Sequence, residues 1–289
     1  MNKRQLSKYF SFFVLPTFAA FCIGFIYPFL HGIYLSFCKF RTTSDAVWVG
    51  IDNYADAFKD TSFLYSFRFT AVFTVVSVLL INLLAFAVAY ALTSGIRGAN
   101  TFRTVFFMPN LIGGVILGYI WQLIFNGILQ YYGTNIKLDA TLGFFGLVIL
   151  LCWQQIGYMM IIYISGLNSI PESLYEAARV DGATKWQTLR KVTLPMMMPS
   201  ITICTFLSLT NSFKLFDQNL ALTAGEPGVQ MAGETVYQSE MLALNIYNTF
   251  YQNANTRGVG QAKAVIFFFL VGIIGLLQLY LTRKKEVQQ

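Results

Sequence analysis

Six charged residues, Glu176, Arg179, Asp181, Lys185, Arg190 and Lys191, fall within the stretch EAARVDGATKWQTLRKVTLP, Glu176 to Pro195. The stretch lies between two long apolar runs in a chain that is only 11% charged. Carboxylates and cations at this spacing suit a surface that pairs with another surface. They do not form a catalytic set. His31 is the only histidine, so a metal or proton-relay site has no second imidazole, and His31 reads as a helix-end residue. Cys22, Cys38, Cys152 and Cys204 form no CxxC pair and read as small hydrophobes. No G-x-x-x-x-G-K-[ST] stretch is present, and GVGQAK, Gly258 to Lys263, has the wrong spacing to cradle phosphate. The apolar runs carry no paired carboxylates and no Ser/His arrangement, so an enzyme active site is not expected.

The elements around the island are membrane-like. The chain has 289 residues and is 56% apolar, whereas soluble domains carry roughly 25% charged residues. Six uncharged runs reach the roughly 20 residues of helix that a bilayer needs: about Phe10–Phe37, Phe69–Thr93, Val105–Leu129, Thr141–Ser165, Met196–Phe213 and Ala264–Thr282. None shows the alternation of a membrane barrel. The first run is too long for a signal-peptide core and has no clear cleavage site, so it is read as a span. With the N-terminus inside, the inside segments hold 12 of the 20 Lys and Arg and four of the 13 acids, a net +8. The outside segments then sum to −1, so the formal charge of +7 is topological and needs no nucleic acid. Both termini are expected in the cytoplasm, as is the island. Two sizeable outside loops are expected, about Cys38–Phe67 and Lys214–Lys263.

The island reads as two short helices and a turn. Ser169-Ile170-Pro171-Glu172 resembles a capping box, and Leu174, Ala177 and Ala178 give a small apolar face. Asp181-Gly182 breaks the helix. Thr184-Lys185-Trp186-Gln187 is a second capping box, and Pro195 is expected to end the second helix with Leu194 extended. A solvated connector would use similar residues, but it could be much shorter. The small Ala177–Ala178 step also leaves room for another surface, which favours a docking knob.

The island is similar to the EAA loop of permease subunits of binding-protein-dependent ABC importers. Glu176, Ala177, Ala178, Asp181, Gly182, Ala183, Val192, Leu194 and Pro195 fill that pattern, with one departure, leucine where the aromatic usual near Leu189 would stand. Four other segments resemble the sugar branch of the family, the maltose-type and multiple-sugar permeases. They are WVGIDNY (Trp48–Tyr54), FRTVFFMP (Phe102–Pro109), GLNSIPESLYEAA (Gly166–Ala178) and SFKLFDQNLALTAGEPG (Ser212–Gly228), the last with Glu226 in place of a usual glycine.

The resemblance implies an all-α membrane protein with six transmembrane helices in the type I ABC importer fold. Residues 1–66 would form the first span and outer loop. Residues 67–282 would form the transporter core, with the coupling loop at about 169–195, and 283–289 a cytoplasmic tail. It implies that the loop docks on an ATPase subunit with Glu176 as anchor and Gly182 as bend. The expected partners are a second permease, giving a heterodimer, two ATPase subunits, an extracellular solute-binding protein, a sugar and membrane lipid, with no nucleic acid. The chain would bind no cofactor, since ATP and Mg are used by the ATPase. The late part of span five is polar, and Asn211, Lys214, Asp217 and Gln218 are candidates for the substrate path, with plain helix–helix bonding as the alternative. Gly114 and Gly118 make a GxxxG step in span three. An importer of a sugar phosphate such as glycerol phosphate is the second reading, although only Lys214 lies near the path. An ion-coupled secondary transporter is disfavoured because the spans hold no Asp or Glu.

Overall fold

The computed structural model describes residues 12, 14–231 and 233–283. Lys3, Arg4, Lys8, Lys284, Lys285 and Glu286, which weigh on the expected orientation, lie outside the described residues. The chain order begins with α1 (Val14–Ser36), a small hairpin of β1 (Cys38–Lys39) and β2 (Val47–Trp48), and α2 (Asp52–Lys59). Then come α3 (Thr61–Thr93), α4 (Ala99–Leu111), α5 (Gly114–Tyr132) and α6 (Ala140–Asn168). The charged island forms α7 (Glu172–Val180) and α8 (Lys185–Met196), and α9 (Met198–Phe213) follows. A short α10 (Asp217–Leu222), the hairpin of β3 (Gly228–Met231) and β4 (Glu234–Tyr237), α11 (Leu242–Tyr251) and α12 (Ala254–Thr282) complete the chain.

Among the described residues, α1, α3, α6 and α12 are each long and apolar enough to cross a membrane. The pairs α4–α5 and α8–α9 raise the number of candidate spans to six, but they are bent by 103° and 69°. Span three is therefore not the straight helix Val105–Leu129 that charge-free length suggested. Pro109 opens a 3₁₀ turn at Met108–Leu111, and Ile112 and Gly113 are extended, so the helical ladder is interrupted. Span two starts at Thr61 rather than Phe69, because the exposed Arg68 is carried on the helix instead of ending it. Both expected outer loops are largely folded into the hairpins, α2, α10 and α11.

Contacts group the chain into two compact units. One combines the described part of residues 1–60 with Ile246–Phe268. There, Phe29 meets Phe268 at 4.9 Å, and buried Asn53 donates to the carbonyls of Ser36 and Cys38, both at 2.9 Å. His31 stacks on Tyr27 and Tyr34 within α1. Lys263 is fully buried, with its Nζ 2.5 Å from Asp60 Oδ2 and 2.7 Å from Thr249 Oγ1.

The other unit combines Thr61–Asn245 with the described part of residues 269–289. Its core is the bundle of α3, α6 and α9. α3 turns a face of small residues inward, with Ser66, Thr70, Ser77, Ala85 and Ala89 all buried. Small side chains at helical spacing let neighbouring helices approach closely. Gly157 of α6 serves the same end. A Cβ there would lie 1.8 Å from Phe106 O, so glycine is what allows α4 to run against α6. Cys152 and Cys204 are buried in this core as small apolar groups.

Candidate docking knob and mid-helix polar layer

The charged island folds as a hinged pair of helices. α7 is closed off by Gly182, two residues past its end, whose φ of +71° is left-handed. Ala183 N donates to Ala178 O at 2.9 Å, and Gly182 N donates to Arg179 O at 3.1 Å, which satisfies the last carbonyls of the helix. Thr184 then starts α8 with a complete capping box, its N–H donating to Gln187 Oε1 at 2.8 Å and its Oγ1 accepting from Gln187 N at 3.3 Å. The other capping box does not form. Pro171 occupies the cap position, and Ser169 Oγ donates to Gly166 O instead.

Pro195 does not end α8, and Leu194 is helical at φ −61°, ψ −43°. A widened turn at Leu189–Thr193 precedes the proline, and the bend comes at Met197, where α9 begins. Tyr175 OH lies 3.4 Å from Thr193 Oγ1 and ties the two arms together at their base. Between the arms is a groove of about 490 Å³, lined by Leu174, Ala177, Ala178, Asp181, Gly182, Ala183 and Val192, among others.

Glu176 is exposed and does not line this groove. At about 100° per residue it lies on the far side of α7 from Leu174 and Ala178. The knob thus has two separate features: a small-residue groove inside and a carboxylate outside. Val180 and Trp186 are also exposed, at 87% and 67%, which leaves apolar surface beside the hinge.

A second constellation sits at the middle of α6. Gln154 and Gln155 are near the midpoint of this helix, where the α4–α5 break and the residues flanking the α9–α10 break meet them. Gln154 Nε2 donates to Ile112 O, the carbonyl freed at the α4–α5 break, at 3.2 Å. Gln218 Nε2 of α10 donates to Gln154 Oε1 at 2.8 Å, and Asn211 Nδ2 of α9 donates to Gln155 Oε1 at 3.2 Å. Further along, Tyr163 OH donates to Asn82 Oδ1 at 2.6 Å, and Asn82 Nδ2 donates to Ser208 Oγ at 2.8 Å.

Of the four path candidates, Asn211 and Gln218 are therefore engaged in bonds between helices. Lys214 and Asp217 are exposed at the α9–α10 break. α5 packs on α10 through its glycine step. A Cβ on Gly114 would lie 2.7 Å from Asp217 Cβ, and one on Gly118 would lie 2.6 Å from Ala221 Cβ.

Sequence reasoning missed Asn82, Gln154, Gln155 and Glu240. The adjacent amides at 154 and 155, inside an apolar run, were an available signal. Glu240 had none, since it lies in a segment read as an outer loop. Only the fold buries it, at 1% exposure, accepting from Asn245 Nδ2 at 2.8 Å and from Ser66 Oγ at 3.3 Å.

Comparison with known proteins agrees with this geometry. Residues 94–287 match the family "Binding-protein-dependent transport system inner membrane component". The chain is 42% identical, over 96% of its own length and 94% of the relative, to the "Probable starch degradation products transport system permease protein AmyD" of Thermoanaerobacterium thermosulfurigenes. It is 31% identical, over 99% of both chains, to the "Multiple sugar-binding transport system permease protein MsmF" of Streptococcus mutans. In fold it is similar to a chain of a bacterial ABC transporter involved in the import of the acidic polysaccharide alginate. That similarity has a TM-score of 0.79 and 21% identity, over 97% of this chain and 98% of that one. The chain belongs to the family of inner-membrane components of binding-protein-dependent transport systems.

Proposed function

We propose that this chain is the permease subunit of an ATP-driven importer that moves a sugar, most simply an oligosaccharide, handed over by an extracellular solute-binding protein. It works as one half of a heterodimer with a second permease, on two ATPase subunits that bind the ATP and Mg. Both termini and the island face the cytoplasm. The observation that carries this reading is the hinged knob of α7 and α8, joined directly to the bent span α9. A rigid knob at the foot of a crossing helix can pass the closure of an ATPase pair to the transport path, which switches between two access states.

Glu176 is the anchor, offering its carboxylate to a donor on the ATPase, while the Ala177–Ala178 groove receives an ATPase side chain. Losing one partner of such a charge-assisted bond, once desolvated, costs about 2–5 kcal/mol. Gly182 holds the angle between the arms. Solute passes beside the polar layer at the middle of α6, where Lys214 and Asp217 are exposed and Asn211 and Gln218 are tied to α6. Broken helices meeting at the centre of a bundle supply such polar surface without leaving backbone unsatisfied in lipid.

The test is sugar uptake with Glu176→Lys. The variant is expected in the membrane at normal level with uptake abolished. Unchanged uptake would remove the docking role.

A further inference from the structure

The surface of α2 divides into three stripes. At about 100° per residue, Ile51, Ala55 and Phe58 share one stripe about 60° wide. Asp52, Asp56 and Lys59 share a second, and both stripes are exposed. Asn53 and Ala57, which are buried, mark the third. A helix between protein and water needs only two kinds of surface. Here the protein side and the charged side are both accounted for, and an exposed apolar side remains, with Ile51 at 71% and Phe58 at 57%.

The neighbouring hairpin also carries exposed apolar residues. Val47 and Trp48 are exposed at 64% and 57%. The Trp48 ring packs 5.3 Å from Phe37 and 5.8 Å from Tyr34, an exposed residue near the end of α1. The exposed apolar side of a membrane-crossing helix thus continues, through an aromatic contact, onto the hairpin. Residues 37–60 lie between the end of α1 and the start of α3, two crossing helices, which keeps them at one membrane surface.

We propose that α2 and the β1–β2 hairpin form a foot that lies in the bilayer interface. The Ile51–Ala55–Phe58 stripe and Trp48 enter the boundary between headgroups and acyl chains. Asp52, Asp56 and Lys59 face water. Tryptophan and apolar residues on one stripe with charge on a separate one are the pattern of helices that lie in this layer, about 5–10 Å into the boundary. The occupant of the exposed stripe is lipid.

The test uses the full chain in lipid nanodiscs, alone and with the subunits that purify with it. Cys22→Ser removes the one cysteine that is not buried, since Cys38, Cys152 and Cys204 are buried. Nitroxide labels are then placed, one at a time, at Ile51→Cys, Phe58→Cys, Asp52→Cys and Asp56→Cys, all exposed positions. Power saturation compares access of oxygen, which concentrates in lipid, with access of a water-soluble nickel chelate. Ile51 and Phe58 are expected to favour oxygen, and Asp52 and Asp56 the chelate, in both preparations. Chelate access at all four sites would mean a solvated helix and overturn the proposal. Labels at Ile51 and Phe58 shielded from both reagents, in the complex or in the chain alone, would mean that protein covers the stripe, and would overturn it equally.

Discussion

Replacing Gly157 by alanine tests the packing that sets the polar layer. The new Cβ would lie 1.8 Å from Phe106 O, 2.3 Å from Phe106 C and 2.7 Å from Phe107 N. All three are backbone atoms, so no rotamer change relieves the overlap. Ordinary contact begins near 3.4 Å, so α4 must retreat from α6 by roughly 1.5 Å. That movement pulls on the bond from Gln154 to Ile112 O at the break. Overpacking of this kind costs about 1–3 kcal/mol, and rigid backbone puts it at the upper end. Gly127→Ala is the control, because nothing lies within 4 Å of a Cβ there. In a helix it should gain up to about 1 kcal/mol. Thermal unfolding of both variants in mild detergent should give a lower midpoint for Gly157→Ala than for wild type, and an unchanged or higher midpoint for Gly127→Ala. Equal midpoints would refute the close approach of α4 to α6.

Breaking the buried ion pair should be asymmetric. Asp60→Asn removes the carboxylate 2.5 Å from the fully buried Lys263 Nζ and should be the costlier change. Lys263→Met leaves a carboxylate that is 26% exposed and can reach water, so it should cost less, and the two are compared by the same melting assay. Gly182→Val forces a β-branched residue into left-handed backbone in open space. It should keep the fold while uncoupling ATP turnover from solute, by a strain on the order of 1–2 kcal/mol at the hinge. Normal sugar-stimulated turnover in the assembled complex would count against it. Asp139 caps α6 by accepting from Thr141 N and Leu142 N, and these bonds hold its carboxyl below the usual range. Its stabilising bond is therefore complete above the ordinary carboxylate pKa and is lost as pH falls through the lowered value. Acid melting curves of Asp139→Asn should lack that part of the pH dependence.

Charge spacing made the knob legible in the sequence. The turn at Gly182 and the cap at Thr184 depend on local backbone chemistry, and both form as the residues suggest. Pro195 misled for a reason outside any local rule: the widened turn before it absorbs the proline, so the helix runs on to Met197. The bend at Ile112 was hidden because a broken span and a straight one have the same apolar composition. Burial of Glu240 and Lys263 was also hidden, because Glu240 meets Ser66 and Lys263 meets Asp60 only after distant segments come together. The separation of Glu176 from the groove follows from helix phase, which the motif spelling does not express.

The most direct test of the account is a gentle-detergent pull-down of this chain from its native membrane, with every co-purifying protein identified. The account predicts a second permease and an ATPase subunit, with the ATPase lost on Glu176→Lys. A chain that comes out alone, and still moves solute in vesicles without ATP, would contradict it.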